Sequence, residues 1–241
     1  MVIIENNSTD AAYHFALEEV LVRHIRSTEP VLMLWQTEKT VMLGNNQVAD
    51  AEVDIDFAIN NGIEVVRRSS GGGAIFTDLE TVLYTMIEPL EIEAKEHRER
   101  TAAKIIGALN QMGVPAVREG RNDILVDGKK ISGLAQYTVG DFVCSHGSLL
   151  YDADLEMLTS VLIANEKKLH PKGITSIRSR VTNIKPYINA NYCVDEFISA
   201  LKTELLHNSA FSRYELSADD RLIIDRIYHE KYANQAWNFR M

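Results

Sequence analysis

Apolar positions along the chain alternate between two spacings, and the changes of spacing lay out its elements. Phe15, Leu17, Val20, Leu21 and Ile25 recur near the helical period, with the capping oxygens of Ser8-Thr9-Asp10 before them, which predicts a helix over 10–27 that Pro30 ends. The unbroken apolar run Val31-Leu32-Met33-Leu34-Trp35 predicts a strand buried on both faces. Val41-Met42-Leu43 reads as its neighbour, and Gly44-Asn45-Asn46 as a turn out of the sheet. A short helix ends at Asn61-Gly62, and β-like segments follow at 63–66, 74–76 and 81–87. Residues 91–109 carry an amphipathic helix closed by Gly113. Strands at 123–126 and 130–133 flank Asp127-Gly128, the signature of a tight hairpin, and 142–151 continues that β region. Helices are expected from Asp154 to about 164, over 194–207 and over 217–232, with a loop over 167–180. Helices and strands intersperse without strict βαβ alternation, so the fold class is α+β, in one domain over 1–241.

One interruption of this pattern carries chemistry. Arg67-Arg68-Ser69-Ser70-Gly71-Gly72-Gly73 runs into Ala74-Ile75-Phe76. Three glycines alone mark a surface loop. Between two β-like segments they mark an ordered turn whose backbone N–H groups can line an anion or carbonyl site, with the two arginines expected to supply positive charge at its mouth. A second stretch, residues 121–133, sets Asp123 and Lys130 on opposed strands, where a carboxylate and an ammonium can face one ligand. The same pair also reads as a surface salt bridge, and the glycine loop is what favours a ligand. A carboxylate beside phosphates suits Mg2+, and a lysine can neutralise phosphate and carbonyl oxygens together.

Composition narrows the partners. Apolar residues make up 46% and charged residues 24%, as in ordinary globular proteins, and the net charge of -9 argues against a broad nucleic-acid surface. Local basic clusters at Arg67-Arg68, Lys129-Lys130 and 167–185 instead suit a small anionic ligand. Cys144 and Cys193 lack metal or disulfide spacing. The start of the chain lacks a signal-peptide pattern and no apolar run could span a bilayer, so a cytoplasmic protein without a membrane partner is expected.

Five stretches, in order, resemble the lipoate-protein ligase A family: Tyr13-His14-Phe15-Ala16-Leu17-Glu18-Glu19, residues 67–76 with Asp78-Leu79, residues 122–133, His146-Gly147-Ser148-Leu149-Leu150, and residues 172–183. Lys231-Tyr232 and Trp237-Asn238-Phe239 extend the resemblance across nearly the whole chain. It implies a mixed β-sheet core flanked by helices, like the biotin/lipoate protein ligase catalytic domain. It also implies a two-step reaction in which lipoate and ATP give lipoyl-AMP, and the lipoyl group passes to a lysine of a lipoyl-carrier domain. Such carriers are 2-oxoacid dehydrogenase E2 or the glycine cleavage H protein. By position, Lys130 resembles the lysine that contacts the lipoyl carbonyl and the adenylate phosphate, and Asn122 and Asp123 resemble the nucleotide and Mg2+ contacts. Arg68, Gly72 and Gly73 resemble the loop around acyl group and phosphate, with Ser70, Ser132 and Gly133 in the same lipoate and adenylate set. Ala74, Ile75 and Phe76 would meet adenine, His146, Gly147 and Ser148 would border the lipoyl tunnel, and 172–180, with Lys172 and Arg178, would form a mobile lid.

Departures from the family pattern fall at Thr77, Glu80 and Leu134, which puts the rim of the site in question. Many relatives continue past the Trp-Asn segment into an accessory domain, supplied in bipartite members as a separate polypeptide needed for adenylation. The expectation here is a catalytic domain without it. Three other readings stand beside the ligase: an octanoyl or lipoyl transferase with Cys144 as thioester nucleophile, a biotin-protein ligase, and a non-catalytic carrier-binding module.

Overall fold

The structure, a computed structural model, describes residues 1–163, 180–207 and 209–240. Its strands, in chain order, are β1 (Val2–Ile4), β2 (Val31–Trp35), β3 (Thr40–Leu43), β4 (Glu64–Arg67), β5 (Ile75–Thr77), β6 (Thr81–Pro89), β7 (Val117–Glu119), β8 (Asp123–Val126), β9 (Lys129–Val139), β10 (Phe142–Leu150) and β11 (Ser212–Arg213). An eight-stranded sheet runs β11-β1-β2-β6-β10-β9-β8-β7, and a three-stranded sheet runs β4-β3-β5. Parallel pairs sit at the β11-β1-β2 edge and antiparallel pairs over the rest, so the large sheet is mixed. The principal helices are α1 (Ala11–Val20), α2 (Ala49–Glu52), α3 (Ile55–Asn60), α4 (Ala94–Gln111), α5 (Leu155–Val161), α6 (Val194–Leu205), α7 (Ala218–Ile227) and α8 (Gln235–Asn238).

Strand alternation in the large sheet divides its apolar runs between two cores, and a third cluster joins Val41, Leu43 and Phe76 of the small sheet to Leu158 of α5. Leu32, Val82, Tyr84 and Met86 face the layer of Ile105 and Leu109 from α4 with Phe197 and Leu201 from α6. Val31, Met33, Trp35, Leu83 and Ile87 face Phe15, Leu17 and Val20 from α1 with Ile224 from α7. Both faces of the central strands are thus covered, which is why β2 reads as a continuous apolar run. The α+β class follows from this arrangement. Among the described residues no helix is long and apolar enough to cross a membrane.

Several boundaries differ from expectation. The first helix is regular only to Val20, then widens into a π-turn over Leu21–Ile25, and Arg26 ends it with φ +49°. Its N-cap is Asp10, whose carboxylate accepts from the N–H groups of Ala12 and Tyr13. The helix expected to reach about 164 ends at Val161. β1, β7, β11 and α8 were not expected, being too short to show a period. The segments flanking the glycine loop do not pair with each other: β4 lies parallel to β3 on one side and β5 antiparallel on the other. The loop therefore crosses the end of β3.

Candidate active site

The glycine loop is anchored from beneath. Arg67 and Arg68 are buried, Arg67 completely, so they do not supply charge at a mouth. Their donors go mostly to backbone carbonyls: Arg67 to those of Gly44, Gln47, Trp237, Asn238 and Arg240, and Arg68 to those of Met42, Gly71 and Gly73, with its Nε on the Ser70 hydroxyl. Burial lowers the Arg68 pKa to about 10, which leaves the guanidinium charged near neutrality. Gly72 has φ +100°, and a Cβ there would come within 2.9 Å of Arg68 Nη2. Arg68 takes the loop carbonyls, while among the described residues the N–H groups of Gly72 and Gly73 find no acceptor. A bend with its carbonyls turned to a guanidinium and its donors unused is a cradle for an anion or a polarised carbonyl.

That bend lines a cavity of about 150 Å³ whose wall runs from Phe15, Trp35, Met42 and Leu83 through His146 and Gly147 to Gly73, Asn122, Asp123 and Lys130. One end is apolar and the other carries the charged pair. A second cavity, of about 280 Å³, adjoins it, lined by Ala74, Phe76, Ser132, Ser148, Leu150, Leu158, Ile163 and Arg180 among others. Gly73, Ile75, Lys130 and Gly133 line both.

The hairpin sets this junction. Asp127 and Gly128 both take positive φ at the turn, and Val126 pairs with Lys129. A bulge between Ile124 and Leu125 then shifts the ladder so that Asp123 pairs with Gly133. Lys130 Nζ reaches Asp123 Oδ1 at 2.8 Å, and Arg180 Nη2 reaches Oδ2 at 3.3 Å. A Cβ on Gly133 would meet Lys130 Nζ at 2.8 Å, so that glycine gives the ammonium its path. Beside Asp123, the buried Asn122 Oδ1 has no hydrogen-bond partner among the described residues. A carboxylate and an unclaimed amide oxygen next to each other fit a hard cation that keeps most of its ligands from phosphate and water.

Expected residues are distributed unevenly. Arg68, Gly72, Gly73, Asn122, Asp123, Lys130, Gly133, His146 and Gly147 line the first cavity, while Ala74, Phe76, Ser132 and Ser148 line the second. Ile75 borders both, and Ser148 thus lies away from the apolar tunnel it was expected to border. Ser70 is fully buried and lines neither; Lys172, Arg178 and the rest of the expected lid up to 179 fall outside the described residues, while its last residue, Arg180, lines the second cavity. Thr77 is buried against Thr37, 2.7 Å between hydroxyls, and also lines neither cavity. Leu134, another departure from the family pattern, does line the first.

A polar chain unforeseen from the sequence runs behind the apolar end. Trp35 Nε1 donates to Thr85 Oγ1 at 3.0 Å, and Thr85 donates to Glu18, which is 1% exposed. Glu18 Oε2 lies 2.9 Å from His146 Nδ1, and His146 Nε2 lies 2.6 Å from Ser70 Oγ. Glu18 and His146 stand 128 positions apart, and only the alternation of β6, which sets Thr85 on the face of Leu83 and Ile87, hinted at a polar neighbour there. Cys144 sits in the same region, fully buried, with its thiol pushed well up by burial and by the Glu18 carboxylate. Such a thiol stays protonated and out of reach of substrate.

Beside the first cavity a broader groove of about 1020 Å³ opens past Gly72 and Asn122, lined by Lys95, Arg98, Arg118 and Arg121 with Glu99. It is a local basic surface on an acidic chain.

Comparison with known proteins agrees with this architecture. Residues 10–206 match the family described as lipoyl protein ligase A/B catalytic domain. Lipoate-protein ligase LplJ of Bacillus subtilis is 35% identical over 99% of this chain and 73% of its own length, and lipoate–protein ligase 1 of Staphylococcus aureus is 31% identical over 98% and 72%. Among solved structures, a bipartite lipoate protein ligase from Thermoplasma acidophilum, described with its E2 lipoyl domain, superposes with TM-score 0.87 at 25% identity, covering 99% of this chain and 95% of that one. A lipoate-protein ligase A bound with ATP superposes with TM-score 0.85 at 23% identity, covering 99% and 98%, which speaks for a shared fold. This chain belongs to the lipoyl protein ligase A/B catalytic domain family.

Proposed function

We infer that the chain is a lipoate-protein ligase, which joins lipoate to ATP as lipoyl-AMP and passes the lipoyl group to a lysine of a carrier domain. The observation that carries this reading is the wall shared by the two cavities: Lys130 and Gly73 stand where an apolar pocket and a second, roomier one meet. An acyl tail in the first and a nucleoside in the second bring carboxylate and α-phosphate together at the ammonium and the glycine bend. A carboxylate and an amine at neutral pH form only a salt, so the acyl oxygen first needs a good leaving group. In the first step the lipoate carboxylate attacks the α-phosphorus and pyrophosphate departs. In the second the acceptor amine attacks the acyl carbon, AMP departs, and the amine loses its proton.

The protein's part in both steps is positioning and charge. Lys130 bridges the acyl and phosphate oxygens, Gly72 and Gly73 offer N–H donors, and Arg180 helps hold Asp123. Asn122 and Asp123 would hold Mg2+, which supplies charge neutralisation on the phosphates. The carrier approaches over the basic groove beside Gly72 and Asn122, which suits an acidic protein face. Residues 1–241 act as the catalytic unit, cytoplasmic in setting, with an E2 lipoyl domain or an H protein as acceptor.

Pyrophosphate release with lipoate, MgATP and an apo carrier domain tests the reading, with and without an accessory-domain polypeptide, alongside transfer from preformed lipoyl-AMP. Lys130→Ala is expected to lower turnover at least about a hundredfold, the scale of losing one preorganised oxyanion donor. Cys144→Ser is expected to leave transfer largely intact. The opposite pattern would make the protein a thioester transferase, and failure of both half-reactions in every arrangement would leave only carrier binding.

A further inference from the structure

Behind the glycine loop lies an arrangement with the connectivity of a hydrolase triad: carboxylate, imidazole and serine hydroxyl, at Glu18, His146 and Ser70. Its burial gives it a different task. Ser70 Oγ is fully buried and lines none of the three cavities described above, so an acyl carbon held in them does not reach it. Its side-chain partners are His146 Nε2 at 2.6 Å and Arg68 Nε at 3.1 Å.

The hydrogen bonds of this chain can be followed from Arg68 inward. Arg68 Nε–H donates to Ser70 Oγ, so the hydroxyl proton must go elsewhere, and among the described residues its one acceptor is His146 Nε2. On its other side the ring faces Glu18, with Nδ1 2.9 Å from Oε2. Glu18 also accepts from Thr85. A buried carboxylate and a buried guanidinium are thus joined through an imidazole ring and a hydroxyl. At the far end Arg68 Nη2 holds the carbonyls of Gly71 and Gly73, at 2.9 and 2.8 Å.

We propose that Glu18, His146 and Ser70 are positioning residues that fix Arg68, and through it the carbonyls of Gly71 and Gly73, so that the N–H groups of Gly72 and Gly73 are held ready for the acyl phosphate. This rests on the ligase reading above for the identity of the bound group, but the mechanical link from Ser70 to the loop can be measured without turnover.

The test is Ser70→Ala, with Ser70→Thr as the variant that restores the hydroxyl and Thr85→Val as a second, remote break in the chain. Three quantities are compared with the native protein: the rate of transfer from preformed lipoyl-AMP to an apo lipoyl domain, the dissociation constant for lipoate by calorimetry, and the amide resonances of Gly71, Gly72 and Gly73 by NMR in the unliganded protein. For Ser70→Ala the expected result is a transfer rate at least tenfold lower, lipoate affinity within threefold of native, and displaced loop amides. Ser70→Thr should recover most of the rate, and Thr85→Val should shift rate and amides in the same direction by less. Unmoved loop amides in Ser70→Ala overturn the proposal even if the native chain proves inactive as a ligase. An active native enzyme with unchanged Ser70→Ala turnover overturns it while leaving the ligase reading in place. A lipoyl ester on Ser70 in acid-quenched mass spectra overturns it in favour of covalent catalysis.

Discussion

His14 lies behind Trp35, which lines the first cavity, its ring stacked on that indole with centroids 4.3 Å apart. Its Nε2–H donates to the Ser8 carbonyl at 2.7 Å, while the buried Nδ1 finds no partner among the described residues. Burial lowers its pKa to about 4, against an ordinary value near 6.5. The unfolded chain then binds this proton more readily than the folded one, so the stabilisation is complete above the ordinary value and is lost as pH falls toward 4. The ceiling is about 3 kcal/mol, at about 1.4 kcal/mol for every tenfold change in proton affinity between the two states. In urea unfolding the native midpoint should therefore fall more steeply between pH 7 and pH 5 than that of His14→Gln, and parallel slopes would refute the assignment. Single residues were legible in the sequence where chemistry and neighbours were local, as with Asp123 and Lys130 across one hairpin. They were not where the partner lay far along the chain. Nothing near Arg67 or Arg68 says that their charges point inward to carbonyls contributed by residues 42–47 and 237–240 as well as by the loop itself.

Two elements meet at glycines whose space is already taken. A Cβ on Gly44, just past β3, would come within 2.2 Å of the Gly72 carbonyl oxygen, a backbone atom that cannot step aside cheaply. Gly44→Ala should displace the bend and reduce lipoyl transfer more than it reduces thermal stability, read as rate against melting temperature. On β10, a Cβ on Gly147 would meet Tyr84 Oη at 2.3 Å and the Gly133 carbonyl at 2.6 Å. Gly147→Ala should destabilise by about 1–3 kcal/mol, the usual cost of overpacking. Chemical denaturation reads that loss, and the Tyr84 ring carbon Cζ, 2.5 Å from the same point, keeps the site closed even without the hydroxyl. The hairpin was legible because Asp127-Gly128 names its turn, while its bulge was not, since a strand of four residues is too short to display the change of phase that an extra residue makes. The glycine loop was legible as an ordered turn, but its crossing over β3 was hidden because parallel and antiparallel neighbours look alike in composition.

At the scale of the molecule, the last helix among the described residues is tied to Arg67, where the chain enters the glycine loop. Asn238 Oδ1 accepts the Arg67 N–H at 2.8 Å, its own amide donates to the Tyr232 carbonyl, and Trp237 Nε1 donates to the Arg67 carbonyl. Asn238→Ala strands a buried donor and should cost about 1–3 kcal/mol in chemical unfolding, with lipoyl transfer falling beyond what the unfolded fraction explains. On the opposite flank, reversing charge in the basic groove with Arg98→Glu and Arg121→Glu should raise KM for the carrier and leave lipoyl-AMP formation unaltered. An unaltered carrier KM would move the docking face elsewhere. The overall class was legible from interspersed periods, whereas the two-core division and the closing turn depend on contacts that no local window contains. The partition shared by the two cavities has a practical corollary for inhibitor chemistry. Fragments that occupy each compartment weakly could be tethered across Gly73 and Lys130, and a stable, non-transferable bridge of matched length would turn the second binding event into an intramolecular one, multiplying affinity without a new contact.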